Sequence, residues 1–289
     1  MKVIIAGGTG FLGTALAASL RADGHHVTII SRRPHGPDQV AWTDRTALEQ
    51  ADALVNLAGT SLDSGRWTEA RKAEILHSRV HATERIVNAL SQVSRRPSVF
   101  LNQSAVGFYG AHGAEALTEE SPPGSDFLAS VCVAWEAAAM KAAWTTRVVL
   151  LRTGLPLDPS GGALPRLALP FRFFAGGRLG SGEQYWSWIH LDDWIRMVRW
   201  AIDEPGIDGP LNVTAPAPAT NRELADALGR AMHRPAFAPA PAFALRLLLG
   251  EMADALILSG QRVLPAKATR AGFQFRYPDL DSALQQIYR

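Results

Sequence analysis

The sequence predicts an α/β protein built around a doubly wound parallel sheet, and three observations support this class. Short apolar runs without charges, such as residues 3–6 and 53–59, are typical of strands buried on both faces. Segments with apolar residues at helical spacing separate these runs, as residues 11–20 do after the first one. Glycines mark the ends of several runs. This alternation of strand and helix favours parallel strands joined by helices.

The first fourteen residues carry the most informative motif, three glycines on a strand-to-helix turn. Gly7 allows the sharp turn, Gly10 lets the backbone approach a pyrophosphate, and Gly13 lets the helix pack close to the strand. A second strand at residues 26–30 completes a βαβ unit of the expected length. The free N–H groups at the helix start, with the helix dipole, attract phosphates. The unit therefore predicts dinucleotide binding; a strand–helix loop that happens to be glycine-rich is the alternative.

The end of the second strand indicates which dinucleotide is bound. NAD sites usually place an acid here for the ribose 2′-hydroxyl, whereas NADP sites place a cation for the 2′-phosphate. No Asp or Glu occurs between residues 24 and 37, and Ser31-Arg32-Arg33 stands where the acid would be. Guanidinium groups suit a phosphate, and a serine adds a hydroxyl donor. We expect NADP(H); the alternative is that the two arginines are solvated loop charges.

The remaining elements follow in order along the chain. We expect further strands at residues 39–42, 53–59, 99–103, 146–152 and 211–213. We expect helices over residues 11–22 and 46–51, from Thr68 to the stop at residues 95–97, over 127–143, from the cap at Thr220 or Asn221, and over 243–258. Five apolar residues of the last helix are expected to pack against the main domain: Phe243, Leu247, Leu248, Met252 and Leu256. Ligands of such sheets lie beyond the carboxyl ends of the strands, which brings together residues 7–13, 31–33, 57–59, 104–110 and 153–155.

Composition limits the function classes. The 289 residues are 47% hydrophobic and 19% charged, as in an ordinary globular interior. A net charge of +2 over this length does not indicate nucleic-acid binding, despite a pI near 8.9. The single cysteine, Cys132, excludes an internal disulfide, fits a reducing cytoplasm and is expected to be a small core residue. The histidines are scattered, so we expect no metal site, and residues 242–258 are too short and too charged to cross a bilayer.

Several motifs together resemble one family. They are Gly-Gly-Thr-Gly-Phe-Leu-Gly at residues 7–13, Asn-Leu-Ala-Gly at 56–59, Ser-Ala-Val-Gly-Phe-Tyr-Gly at 104–110 and Arg-Thr-Gly at 152–154. The chain resembles an atypical extended short-chain dehydrogenase/reductase. More narrowly, it is similar to the NAD-dependent epimerase/dehydratase-like branch with a short C-terminal domain of its own. That narrower likeness rests on Trp-Ser-Trp-Ile-His at 186–190 and on the tail at 247–261 and 271–275.

The resemblance covers nearly the whole chain and implies how the chain divides into domains. Residues 1–235 would form the NADP-binding Rossmann domain, with residues 156–190 and 214–235 contributing to a smaller, mostly helical substrate lobe, and residues 236–289 would form the C-terminal domain. It also implies that Glu74 and Arg79 reach the cofactor, although either could be a solvated helix charge. The expected cofactor-binding residues are Gly7, Thr9, Gly10, Phe11, Leu12, Gly13, Ser31, Arg32, Arg33, Leu57, Ala58, Gly59, Glu74, Arg79, Ser104 and Leu155.

The sequence specifies the catalytic residues less well than it specifies the cofactor. The superfamily uses a tyrosine whose pKa is lowered by a lysine one turn later, with a serine or threonine bonded to the substrate oxygen. Ser104 occupies the serine position, but residues 127–143 contain no tyrosine and their only lysine is Lys141, too far along the helix. Two substitutes remain. Tyr109 is either a proton donor or a packing residue, and His190 is either an acid–base group or part of a helix cap next to Asp192 and Asp193.

The sequence leaves two functions open. The first is an NADP(H)-dependent oxidoreductase or epimerase-like enzyme acting on a small carbonyl or hydroxyl compound, with Ser104 orienting the oxygen and Tyr109 or a water as proton donor. The second is an NADPH-binding sensor or scaffold without turnover, which the absent Tyr-x-x-x-Lys pair favours. Arg166, Arg172 and Arg178 lie in the expected pocket region, so the substrate is either anionic or these are ordinary loop charges. A homodimer through residues 68–94 and 127–143 would follow the superfamily.

Overall fold

A seven-stranded parallel sheet forms the centre of the protein in a computed structural model that describes residues 1–42, 44 and 46–289. The strand order is β3-β2-β1-β4-β5-β7-β11. The strands are β1 Lys2–Ala6, β2 His26–Ser31, β3 Gln39–Ala41, β4 Ala53–Asn56, β5 Val99–Ala105, β6 Ala116–Leu117, β7 Arg147–Thr153, β8 Leu155–Leu157, β9 Tyr185–Trp186, β10 Trp188–His190, β11 Gly209–Val213, β12 Ala219–Thr220 and β13 Arg262–Val263. The helices are α1 Phe11–Ala22, α2 Thr46–Glu49, α3 Glu69–Leu90, α4 Phe127–Met140, α5 Leu164–Arg172, α6 Leu191–Asp203, α7 Asn221–Met232, α8 Ala242–Leu249, α9 Glu251–Ala253, α10 Ala266–Arg270 and α11 Leu280–Ile287.

Helices cover both faces of this sheet, as the sequence predicted. On one face Val3 and Ile5 of β1 pack with the apolar sides of α1 and α6. On the other face Ile4 and Ala6 pack with residues of α3 and α4. All four β1 side chains are at most 2% exposed. This two-sided burial explains why the central strands appear as continuous apolar runs.

The elements after β7, where we expect the substrate lobe, have a core of their own. Short pairs join distant segments: β8 with β10 and β9 with β12. Leu164, Phe171, Trp188, Leu224 and Leu284 belong to one buried cluster there, which includes residues from α5, α7 and α11. The predicted cap of α7 is confirmed, because Thr220 accepts from Glu223 N while the Glu223 side chain accepts from Thr220 N.

The predicted helix over residues 243–258 is wrong in its length. The helix α8 ends at Gly250, whose φ is +63°, and α9 and a π-helical turn at Asp254–Leu258 follow. Phe243, Leu247 and Leu248 are more than two-thirds exposed, so they do not pack against the main domain as expected. Met252, by contrast, is buried with Trp67, and Leu256 is partly buried beside them.

Candidate functional site

The three glycines lie where β1 turns into α1, and steric contacts explain why two of them lack a side chain. Gly7 has a φ of +77°, and a Cβ there would lie 2.8 Å from the carbonyl carbon of Leu57. A Cβ on Gly13 would lie 2.5 Å from the Gly7 oxygen. At Gly10 the nearest protein atom would be 3.4 Å away, which is ordinary contact. The protein itself therefore does not require glycine at position 10, and the open space there fits a ligand approaching the backbone.

The start of α1 is built for an anion. Gly10 is its N-cap, with no side-chain hydrogen bond to the cap and no acidic residue in the first turn. The other long helices differ: α3 is capped by Thr68 and α4 by Asp126, each of which accepts from a backbone N–H. The first N–H groups of α1 thus have no side-chain acceptor and carry the positive end of the helix dipole. These residues fit a dinucleotide pyrophosphate.

The end of β2 presents the predicted cations. The Ser31 hydroxyl oxygen accepts from Arg33 N at 3.2 Å, which fixes the turn. Arg32 and Arg33 are exposed. Within residues 1–42, 44 and 46–289, neither guanidinium has a carboxylate partner. Both side chains are therefore free to reach a phosphate beside the turn.

At the end of β4 small residues leave room, and a hydrogen-bonded cluster holds the strand. Asn56 donates to Thr83 Oγ1 at 2.9 Å and to Asn102 Oδ1 at 2.7 Å, and it accepts from Ala58 N at 3.1 Å. The cluster fixes Ala58 and orients the loop containing Leu57, Ala58 and Gly59. The structure therefore brings this loop next to the glycine turn, in line with the sequence expectation.

Arg79 on α3 lies against this loop. A Cβ on Gly59 would be 3.3 Å from the Arg79 guanidinium carbon. The guanidinium donates to the Ile75 carbonyl at 3.0 Å and lies 5.2 Å from the centroid of the Trp135 ring. It has no carboxylate partner in the described part of the chain, and burial lowers its pKa. An unneutralised cation at the crevice fits a negatively charged ligand.

Glu74 is the second residue of α3 that was expected to reach the cofactor. It is exposed, and its carboxylate already has partners within the protein. Its carboxylate is 2.6 Å from Arg71 Nη1 and accepts from Thr60 Oγ1 at 3.3 Å. Since Thr60 directly follows Gly59, Glu74 lies at the edge of the same crevice. On the opposite side, Leu155 N donates to the Ser187 carbonyl at 2.7 Å.

The loop after β8 closes over the glycine turn. A Cβ on Gly161 would lie 2.5 Å from the Phe11 ring, and one on Gly162 would lie 3.1 Å from it. A second contact closes the other side, where Arg166 of α5 pairs with Asp63 of the loop after β4. Thr9 lies on the glycine turn, and Leu12 lies in the first turn of α1 next to Phe11. The crevice is thus bounded by the loop after β8 and by α5 as well as by the sheet.

Ser104 lies at the end of β5, but its hydroxyl is directed into the protein. It is fully buried and donates to Glu136 Oε1 at 2.7 Å. Glu136 also receives two hydrogen bonds from Arg152, both at 2.9 Å, in a bidentate ion pair. Neither Glu136 nor Arg152 was predicted from the sequence to be a site residue, although Arg152 lies in the Arg-Thr-Gly motif. The available signal was a single charge in each of two otherwise apolar elements, α4 and the inner part of β7.

Tyr109 belongs to the same buried network. Its hydroxyl donates to Asn212 Oδ1 at 2.7 Å and accepts from Arg152 Nη1 at 3.0 Å. The side chain is fully buried, and this burial raises its pKa. A proton donor working near neutral pH needs the opposite shift. The packing alternative for Tyr109 is therefore the one that the geometry favours.

His190 is held away from the crevice as a helix cap. It is the N-cap of α6, where its Nδ1 accepts from Asp192 N at 3.1 Å. Its Nε2 is 2.9 Å from Gln286 Oε1 of α11, and its ring lies 4.0 Å from the Tyr277 ring. The structure thus favours the cap alternative, with the histidine itself as the cap in place of the neighbouring aspartates.

Cys132 is buried beside the network. Burial raises the pKa of its thiol to about 12, so the thiol is protonated at neutral pH. This fits the expected core role. Among the described residues no group of three His, Cys, Asp or Glu is placed to hold a metal ion. No helix in the same residues is long and apolar enough to cross a membrane.

The glycine turn, the side-chain-free start of α1 and the unpaired arginines at the end of β2 define a dinucleotide-binding protein of the Rossmann type. The chain belongs to the NAD dependent epimerase/dehydratase family, whose match covers residues 3–213; a domain of unknown function (DUF1731) matches residues 240–287. The resemblance inferred from the sequence is confirmed.

Relatives of known name match over their full length. Epimerase family protein SDR39U1 of Bos taurus is 39% identical, with 99% of each chain covered. Epimerase family protein YfhF of Bacillus subtilis is 41% identical, with 99% of this chain and 98% of the relative covered. The crystal structure of human SDR39U1 (isoform 2) with NADPH has a TM-score of 0.95 at 37% identity and covers 100% of this chain and 99% of its own. This structure confirms the predicted fold class, and it confirms the NADP(H) prediction in that this relative was solved with NADPH.

Proposed function

We propose that the protein is an NADP(H)-dependent oxidoreductase or epimerase-like enzyme acting on a small carbonyl or hydroxyl compound. The observation that carries the proposal is the crevice itself, where the uncapped start of α1 meets the unpaired Arg32, Arg33 and Arg79. Three separate cations without carboxylate partners match a ligand with several phosphates. A family relative solved with NADPH supports the same cofactor.

Most of the predicted cofactor residues would line this crevice. Gly7, Gly10 and Gly13 admit the pyrophosphate, and the α1 N–H groups bind it. Ser31, Arg32 and Arg33 hold the 2′-phosphate, and the small residues at 57–59 make room for the nicotinamide ribose. Thr9, Phe11, Leu12, Glu74 and Leu155 complete the walls of the crevice, and Arg79 adds a cation beside the loop at 57–59. When bound, the nicotinamide supplies or accepts a hydride.

The proton has to come from a different source than in the superfamily. The Tyr109 hydroxyl already donates to Asn212, and the Ser104 hydroxyl donates to Glu136. Of the two donors that the sequence left open, the geometry therefore favours a water in the crevice. Ser104 acts in this proposal through Glu136, by holding the end of β5 in place, and is a positioning residue.

The alternative is an NADPH-binding sensor or scaffold without turnover. One observation favours it specifically: α4 carries neither a tyrosine nor a lysine within Phe127–Met140, and both nearby hydroxyls are engaged in the buried network. Oxidation of NADPH with a carbonyl compound would exclude this alternative. Tight NADPH binding with no turnover across a broad carbonyl panel would favour it.

The first experiment is a fluorescence titration of the protein with NADPH and NADH. We expect NADPH to bind more tightly, and Arg32→Ala to weaken NADPH by about 10- to 100-fold, as loss of a charge-assisted bond to phosphate does. NADH binding should be unchanged in this variant. Arg230→Ala is the matched control, because this exposed arginine lies on α7 in an ion pair with Asp281. Binding of neither nucleotide would overturn the proposal.

A homodimer and a cytoplasmic location are part of the same proposal. Val133 and Met140 lie seven residues apart on α4 and so share one face, and Trp144 follows the helix; the three side chains are 40–79% exposed. An exposed apolar stripe on the α3–α4 face suits self-association. Sedimentation analysis of the wild type and of Met140→Lys tests this, with a shift from dimer to monomer expected. The single cysteine fits the reducing cytoplasm.

A further inference from the structure

The C-terminal segment passes directly over the loop that follows β5. Its strand β13, Arg262–Val263, pairs with β6. Gln261 Nε2 donates to the Val106 carbonyl at 2.8 Å, two residues beyond Ser104. Ser187 Oγ donates to the Gln261 carbonyl and accepts from Val263 N, both at 2.8 Å. This short strand is therefore fixed between the end of β5 and the substrate lobe.

Within this strand the two side chains face opposite ways. Val263 is fully buried in a cluster with Phe108, Tyr109 and Leu117. Because successive strand residues point to opposite faces, Arg262 faces away from that cluster. Its guanidinium carbon lies 5.8 Å from the centroid of the Tyr185 ring, in the substrate lobe. Arg262 is thus held where the C-terminal segment meets the substrate lobe, beside the crevice.

Arg262 is half-buried and lacks a counter-ion. Over residues 1–42, 44 and 46–289 no carboxylate pairs with it, whereas the exposed Arg222 of α7 pairs with Glu183 at 2.5 Å. A guanidinium partly removed from water normally finds an acidic partner. Here a tyrosine ring supports one side of the cation, which leaves its planar donors available.

A second arginine, on the loop that leads to Tyr185, is also half-buried without a carboxylate partner. Arg178 is half-buried, its Nε is buried without a hydrogen-bond partner, and it forms no ion pair within the described residues. The loop that carries it is fixed to the C-terminal segment, since Gln184 Nε2 donates to the Leu179 and Ile257 carbonyls, both at 2.9 Å. Arg166, by contrast, is neutralised by Asp63. Arg172 of α5 also has no ion pair among the described residues, but it is exposed to water. The half-buried cations of this region without a carboxylate partner are therefore Arg178 and Arg262.

We infer that Arg262, supported by Tyr185 and assisted by Arg178, binds an oxyanion of the substrate, a phosphate or a carboxylate. The inference rests on the proposed function and deepens it: the substrate is an anion, and the C-terminal domain supplies the residue that selects it. A planar guanidinium binds either oxyanion through two parallel hydrogen bonds, and a neutral carbonyl compound would leave it unpaired.

Isothermal titration calorimetry of the NADPH-saturated protein with inorganic phosphate and with succinate tests the inference. We expect at least one of these probes to bind, and the stronger binder identifies the oxyanion. Arg262→Gln should weaken its binding by about 10-fold or more, which is the loss expected for a bidentate charge-assisted contact. Arg262→Lys, which keeps the charge but loses the fork, should lie between. Arg222→Gln on the same lobe should bind as the wild type does.

Several results would overturn the inference. They are no binding of either probe, unchanged binding in Arg262→Gln, or an equal loss in Arg222→Gln. If Arg262→Gln fails to fold, Arg262→Lys and Arg178→Gln decide the question by the same criterion. The NADPH titration of each variant separates the two proposals, because loss of Arg262 should leave NADPH affinity unchanged. If the wild type bound no NADPH, the proposed function would fall, and oxyanion binding to the protein alone would still decide the role of Arg262.

Discussion

Glu136 is the residue on which the buried network depends. It neutralises Arg152, whose side chain is 4% exposed, and it accepts the Ser104 hydroxyl. Replacing it by glutamine leaves a buried guanidinium without its counter-charge. Removal of one partner of a buried ion pair costs about 3–5 kcal/mol. We expect Glu136→Gln to lower the free energy of unfolding by about that amount in urea denaturation.

Glu84→Gln is the control for this prediction. Glu84 pairs with Lys141 at 3.2 Å between α3 and α4, but both side chains are more than a third exposed. Exposed pairs contribute about 1 kcal/mol or less, so this variant should lose little stability. Equal losses in the two variants would contradict the assignment of Glu136 as the centre of the network.

The buried phenol of Tyr109 makes the free energy of unfolding depend on pH in the alkaline range. Its burial raises the pKa of the phenol in the folded protein. In the unfolded chain the phenol ionises near its ordinary pKa of about 10. Stability is therefore fully present below that pKa and falls as the pH rises through it toward the higher folded pKa, because only the unfolded state loses the proton. We expect the free energy of unfolding to decline above about pH 10.

Comparison with Tyr109→Phe tests this, because phenylalanine cannot ionise. The variant should be less stable at pH 7, where it leaves Asn212 Oδ1 and Arg152 Nη1 without the phenol. The difference between variant and wild type should shrink as the pH rises above 10, roughly, where the phenol begins to titrate in the unfolded chain. A difference that stays constant from neutral to alkaline pH would contradict burial of the phenol.

At the scale of elements, the β1–α1 turn contains one glycine that packing requires and another that packing does not require. A Cβ on Gly13 would collide with backbone atoms of Gly7 and Gly8, whereas a Cβ on Gly10 would have its nearest neighbour at 3.4 Å. The Gly10 φ of −81° also suits alanine. We expect Gly10→Ala to fold with nearly unchanged stability but to lose NADPH affinity at least 10-fold, roughly, since its methyl group occupies the approach of the pyrophosphate.

Gly13→Ala should show the opposite pattern. We expect it to lower the stability of the protein, because its Cβ collides with the backbone, without a separate effect on NADPH affinity in the molecules that fold. Thermal unfolding followed by circular dichroism and NADPH titration of both variants separate the two effects. Normal NADPH affinity in a folded Gly10→Ala protein would show that no phosphate approaches this turn.

The elements also show which features the sequence could predict. Strands of the central sheet were recovered to within a few residues because both of their faces are buried, so their apolar character is local information. The glycine turn was recovered because its steric needs are local too. The pairs β8–β10 and β9–β12 were missed, since two- or three-residue strands that pair with distant segments have no periodicity of their own.

The candidate site divides in the same way. The exposed position of Arg32 and Arg33 at the end of β2 could be predicted, because it follows from one βαβ unit; their contact with a phosphate stays a prediction. The pairing of Glu136 with Arg152 could not, because it depends on how α4 packs on β7. The exposure of Phe243 was also unpredictable: α8 stops at Gly250, and the direction of the chain beyond this turn decides which residues α8 buries.

At the scale of the whole molecule, buried carboxylates attach the C-terminal segment to the sheet. Glu119 accepts from Asn212 N on β11 and from Lys267 N, both at 3.1 Å. Asp193 at the start of α6 is fully buried and accepts from Arg276 N at 2.9 Å and Tyr277 N at 2.8 Å. Residues 236–289, which we propose as the C-terminal domain, are therefore bonded to the main domain at the start of α10 and again at residues 276–277.

These attachments predict that the chain unfolds as one unit. Asp193→Ala leaves two backbone N–H groups without their charged acceptor, and each hydrogen bond to a charged group is worth about 1.5–3 kcal/mol. We expect a loss of about 3 kcal/mol or more, in a single transition seen alike by circular dichroism and by release of bound NADPH. Asp192→Ala is the control, because its ion pair with Arg276 is more than a third exposed and should contribute about 1 kcal/mol or less. Two separate transitions in Asp193→Ala, with NADPH released only in the second, would instead show that residues 236–289 unfold independently of the cofactor site.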